Sequence, residues 1–111
     1  ESVIEEQFKR VMNAAQSIMG KYAFRKLGED GIRRPINKAI YEAWCRNLFL
    51  LKDKEIAFLA KSGRRVYDAF LGVSNDSVFL QMLKASDKKS FSQRFLQVDG
   101  MFRRILHDSE D

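Results

Sequence analysis

AFRKLGEDGIRRPINKAIYEAW, residues 23–44, holds the only proline of the chain, two of its six glycines and its only tryptophan. It reads as a loop feeding a helix. Gly28 and Gly31 permit turn geometry, and Asp30-Gly31 is a turn dipeptide. Pro35 biases Arg34 away from helical backbone angles and can open the next helix. Asn37 is either that helix's N-cap or a side chain pinning the loop. Ile36, Ala39, Ile40, Ala43, Trp44, Leu48 and Leu51 recur at steps of three and four, which predicts a helix over 36–51. Trp44 and Cys45 are expected in its packed face.

The same periodicity extends in both directions. Upstream, Ile4, Phe8, Val11, Met12, Ala15, Ile18, Met19 and Tyr22 predict an amphipathic helix over 2–22, with Ser2 and Glu5 as a capping box and Gly20 as a weak point. Downstream, Lys52-Asp53-Lys54 punctuates the chain, with Asp53 a cap. Ile56, Leu59, Gly63, Val66, Tyr67 and Phe70 then predict a helix over 54–72. Gly63 costs that helix about 1 kcal/mol relative to Ala. Either a close helix–helix approach or a break at Ser62-Gly63 accounts for it. Gly72 closes the helix, and Ser74-Asn75-Asp76 is a turn and capping cluster. A short helix over 76–85 and a last one over 87–107, capped from Ser86-Asp87, complete the set, with Asp108 to Asp111 a frayed acidic tail. Five amphipathic helices must bury their stripes on each other, so an all-α compact bundle is expected, as one domain spanning 1–111.

Of 111 residues, 45% are hydrophobic, enough for a modest core, and no apolar run approaches the roughly 20 residues that cross a bilayer. No signal peptide is visible, and a single Cys fits a reducing compartment, so a cytoplasmic location and no membrane partner are expected. The chain begins with Glu rather than Met, from which preceding sequence is expected. Net charge is +5, concentrated in the middle: residues 21–65 hold 12 Lys/Arg against 5 Asp/Glu, and the remainder 8 against 10. Such a basic middle points to a polyanion or an acidic partner, or to a solvated helix face.

Arg25, Lys26, Arg33 and Arg34 flank the turn on both sides. Guanidinium forks match phosphate bidentately, so four cations at a loop base can cradle it. They can equally tie the loop to helix ends or to Glu29 and Asp30, the role favoured for Arg25. Lys38 falls in the first turn of the predicted 36–51 helix, and Lys61, Arg64 and Arg65 fall mostly off the apolar stripe of theirs. These eight are the candidate nucleic-acid contacts. Phe24, Asn37, Glu42 and Trp44 are candidate anchors of the loop. Catalytic chemistry is sparse. His107 is the sole histidine, and neither a nucleophile pair nor the Arg–x4–6–His spacing of helical HEPN-type ribonucleases occurs. A phosphate-loop motif is absent, and no carboxylate pair stands out. No catalytic residue, metal or cofactor is expected in this chain.

Ala23-Phe24-Arg25-Lys26, then Arg34-Pro35-Ile36-Asn37-Lys38-Ala39-Ile40-Tyr41-Glu42-Ala43-Trp44, form a recurrent string. Met12-Asn13-Ala14-Ala15, Ile18-Met19-Gly20 and Ser92-Gln93-Arg94-Phe95 extend it. Together these resemble the C-terminal helical part of a bacterial family whose N-terminal half is ParB-like, typified by the GmrSD type IV restriction enzymes of anti-phage defence. The resemblance covers roughly residues 8–106. It implies an accessory domain whose partner is an N-terminal ParB-like domain of the same protein, with DNA as a further partner. The family's nucleotide-hydrolysing Asp-Gly-Gln-Gln-Arg run is missing. Asp30-Gly31-Ile32-Arg33 and Asp99-Gly100-Met101-Phe102-Arg103 share only its Asp-Gly and an arginine. An HNH-type nuclease half needs histidines that this chain lacks. The competing expectation is an oligomerisation or interdomain-contact module, in which Phe, Met and Leu residues left over from a small bundle form an exposed patch. A third is a basic antitoxin-like or regulatory helical protein.

Overall fold

The apolar stripe of the first helix runs through Val11, Ala14, Ala15, Ile18 and Met19, and all five are buried. In a computed structural model that describes residues 2–108, with side chains from residue 3, this stripe belongs to α1 (Ser2–Met19). The cap expected at Ser2 and the tail at 109–111 lie outside the described side chains. Gly20 adopts φ +56°, a left-handed angle that glycine tolerates, and the chain tightens into a 3-10 turn over Gly20–Tyr22. Then follow α2 (Lys38–Leu50), α3 (Asp53–Lys61), α4 (Gly63–Ser74), α5 (Ser77–Leu83) and α6 (Lys88–His107). The bundle is all-α, as expected, with six α-helices rather than five among the described residues.

The extra helix comes from the break at Ser62-Gly63. Ser62 leaves helical geometry at φ −102°, ψ 27°, so the predicted 54–72 helix divides into α3 and α4. Close approach holds as well: a Cβ on Gly63 would stand 3.3 Å from the Ile18 carbonyl oxygen of α1. Two other boundaries differ from the sequence reading. α2 begins at Lys38 because Ile36 pairs with Arg25 in an isolated antiparallel bridge, which leaves the Ile36 side chain exposed rather than on the packed face. Lys52, not Asp53, occupies the cap position of α3. Its N–H donates to Glu55 Oε1 at 2.8 Å, while Asp53 reaches across to Arg10.

Trp44 of α2 sits at the centre. Its ring meets Phe70 of α4 and Phe102 of α6 edge-on, at 5.3 and 5.0 Å between centroids. Phe70 meets Phe79 of α5 in turn. Edge-to-face pairs of this kind add about 0.5–1.5 kcal/mol each beyond the burial of their surface. Three buried polar side chains, Asn47, Ser74 and Arg94, tie elements together around that centre. Asn47 donates to the carbonyls of Ala43 and Phe95, joining α2 to α6. Arg94 donates to the carbonyls of Met82 and Ala85, which closes the C-terminal end of α5. Ser74 accepts from the Leu27 N–H, seating the 23–37 loop on the end of α4. The radius of gyration, 13.6 Å, is that of a single packed domain of this length.

Candidate functional site

The 23–37 loop is closed at its base and tied along its length. Phe24, at φ +65°, turns its ring inward against Tyr41 at 4.8 Å, and its carbonyl accepts from the Asn37 N–H. Asn37 Oδ1 accepts from the Ile40 N–H, so this residue both caps α2 and pins the loop. Phe24 and Asn37 are therefore placed as loop anchors. Trp44 packs in the bundle centre instead, and Glu42 lines a shallow recess with Lys38, Lys84 and Arg94 near the α5–α6 connection.

The loop arginines are held by the loop itself. Arg25 donates to the Arg34 carbonyl, with its Nε buried and without a hydrogen-bond partner among the described residues. Arg34 grips both oxygens of Asp30 and the Ile32 carbonyl, and its guanidinium lies over Gly28, where a Cβ would stand 2.5 Å away. The Ile32 N–H, and then Arg34, hold the Asp30 carboxyl below the usual carboxylate range. Arg33 donates to the Lys21 carbonyl. Farther along, Arg64 pairs with Asp68 on one exposed helix face, and Arg65 pairs with Asp108 across α4 and α6. Lys26, Lys38 and Lys61 have no carboxylate partner among the described residues. The eight candidate cations thus divide between a self-bonded loop and the flanks of other helices.

The feature that stands out is apolar. The first two turns of α1 carry Val3, Ile4 and Phe8, which are 68%, 68% and 56% exposed, in line with the stripe that is buried farther on. With Gln7, Met12, Tyr41, Cys45, Arg46 and Phe49 they line an open groove of about 490 Å³ between α1 and α2. Phe49 and Leu50, at the end of α2, are exposed too. Arg46 is its one charged lining residue among those described. Burial pushes the Cys45 thiol up and, together with that thiol, raises the Tyr41 hydroxyl, so both stay neutral at pH 7 and act as packing surface.

The expectation of an exposed patch of surplus apolar residues named no positions. The signal was present in the 2–22 stripe, whose first members the fold leaves uncovered. Among the described residues no group of three or more His, Cys, Asp or Glu side chains gathers as a metal site, and no helix is long and apolar enough to cross a membrane. Compared with protein-family models, with curated proteins and with solved structures, the chain matches none of them.

Proposed function

We propose that this chain is an accessory helical domain that holds a ParB-like catalytic domain of the restriction and anti-phage type, and that the α1–α2 groove is the face by which it does so. The observation that carries this is the apolar row Val3, Ile4 and Phe8 opposite Phe49. Burying a side chain of this kind contributes about 1.5–3 kcal/mol, so four of them offset a large part of the cost of association. The identity of the partner rests on the resemblance of the 23–44 string and its extensions. In this reading the chain supplies no catalytic group and needs no cofactor. Its role is to position the partner's chemistry.

The test is hydrogen exchange at α1 and α2 in the isolated chain and in its complex with the ParB-like domain encoded with it. Protection is expected across residues 3–12 and 41–50, together with loss of the complex in Phe8→Glu. Equal exchange with and without the ParB-like domain overturns the reading. A second reading places a second copy of this chain on the groove. A molar mass in light scattering that doubles with concentration favours it, and a fixed monomer mass removes it. DNA contact rests on Lys26, Lys38 and Lys61, which have no carboxylate partner among the described residues. Binding of duplex DNA across a salt series tests it: a steep log–log slope is expected from phosphate contacts, and no binding at low salt removes it.

A further inference from the structure

A second concavity lies where the start of α3 meets the end of α6. It encloses about 660 Å³ and is lined by Lys52, Lys54, Glu55, Phe58, Arg103 and His107, with Leu106 also in its wall. It shares no residue with the α1–α2 groove. The carboxylates around it are engaged. Asp53 pairs with Arg10, and Asp108 pairs with Arg65. Glu55 accepts from the Lys52 N–H through one oxygen and faces Arg103 through the other, and Arg103 also reaches Asp99. The ammonium groups of Lys52 and Lys54 have no carboxylate partner among the described residues. They stand at the N-terminus of α3, whose first turn also holds Asp53 and Glu55, while Arg104 in the last turn of α6 offsets the negative end of that helix. Among the described residues, three cations, Lys52, Lys54 and Arg103, line the recess against one carboxylate, Glu55, with an aromatic ring, Phe58, in its wall. Its volume is that of an ordinary small-molecule site.

We propose that this recess binds a phosphorylated small molecule of nucleotide size, with the phosphates on Lys52 and Lys54 and a flat ring against Phe58. Phosphate is the anion that several cations can share, and a ring is what an aromatic side chain holds by stacking. The reading is independent of the docking groove, and a Phe8→Glu variant serves as a control that leaves it intact.

The test is an amide NMR titration of the full chain with a nucleoside triphosphate, and separately with inorganic tripolyphosphate. Saturable shifts are expected at residues 52–58 and 103–107 with both probes, with the nucleotide binding several-fold more tightly. Lys52→Gln with Lys54→Gln is expected to weaken both by 10-fold or more, whereas Lys26→Gln leaves both unchanged. Phe58→Leu, which keeps an apolar side chain in place, is expected to remove the advantage of the nucleotide and spare tripolyphosphate. Shifts scattered over lysines throughout the chain without saturation overturn the proposal, as does equal binding by the double lysine variant. A duplex oligonucleotide or an anionic vesicle that displaces the nucleotide at lower concentration overturns the small-molecule assignment.

Discussion

Asp30 shows how far a single side chain sets the character of the loop. Its carboxylate accepts from the Ile32 N–H and from two nitrogens of Arg34, and its pKa is depressed from 3.8. A depressed folded value means that the stabilisation is complete above the unfolded pKa and is lost as pH falls through the folded one. Asp30→Asn is therefore expected to lower the melting temperature at pH 7, with the gap to the parent chain narrowing below roughly pH 4. A gap constant down to pH 2.5 counts against this account. Arg94 is the other decisive residue. It is buried, and its removal takes a charged donor from the Met82 carbonyl, which keeps the Ala85 N–H, and from the Ala85 carbonyl just past the end of α5. Arg94→Ala should cost about 2–3 kcal/mol in urea denaturation, since hydrogen bonds from a charged donor are worth about 1.5–3 kcal/mol. Arg94 stands three residues after Phe91 and four before Val98, on the apolar stripe of α6, so the spacing marks its position and only the fold supplies the carbonyls it meets.

Helices were readable where a three-to-four period met a cap. Asp76 and Asp87 stand in the predicted capping clusters, and each accepts from the first turn of its helix. α5 has only seven residues, so its cap matters: Asp76→Ala should destabilise the chain by about 1 kcal/mol, measured by chemical denaturation. The period also carried an error. Ile36 obeys the spacing of α2 but serves the bridge to Arg25, because the rule counts positions and does not see pairing across a loop. Gly63 left two explanations open from sequence alone, and both hold. A branched side chain there must displace the Ile18 carbonyl of α1, so Gly63→Val should cost about 1–3 kcal/mol, read as a shift of the denaturation midpoint.

At the scale of the molecule, fold class was legible and the candidate sites were not. A stripe reports which side of a helix is apolar. It does not report whether the chain has enough other helices to cover it, so Ile4 and Phe8 read the same as Val11 and Ile18. Lys52 and His107 come from distant parts of the chain, and only the packing of α3 against α6 brings them to one recess. A charge total has a similar limit: a basic middle is a sum over residues 21–65, whereas a basic surface depends on which arginines the loop keeps for its own carbonyls. Because Phe8 is exposed, Phe8→Glu should change stability by no more than about 0.5 kcal/mol while weakening partner binding at least 10-fold. A large fall in melting temperature would place Phe8 in the core instead.

The lone tryptophan equips the molecule with its own optical gauge. Trp44 is 1% exposed, ringed by phenylalanines, and its indole N–H finds no acceptor among the described residues. Emission from the folded chain should be strongly blue-shifted and should move red only when three helices part at once. Fluorescence can therefore separate variants that lose a surface from those that lose the fold, without any label.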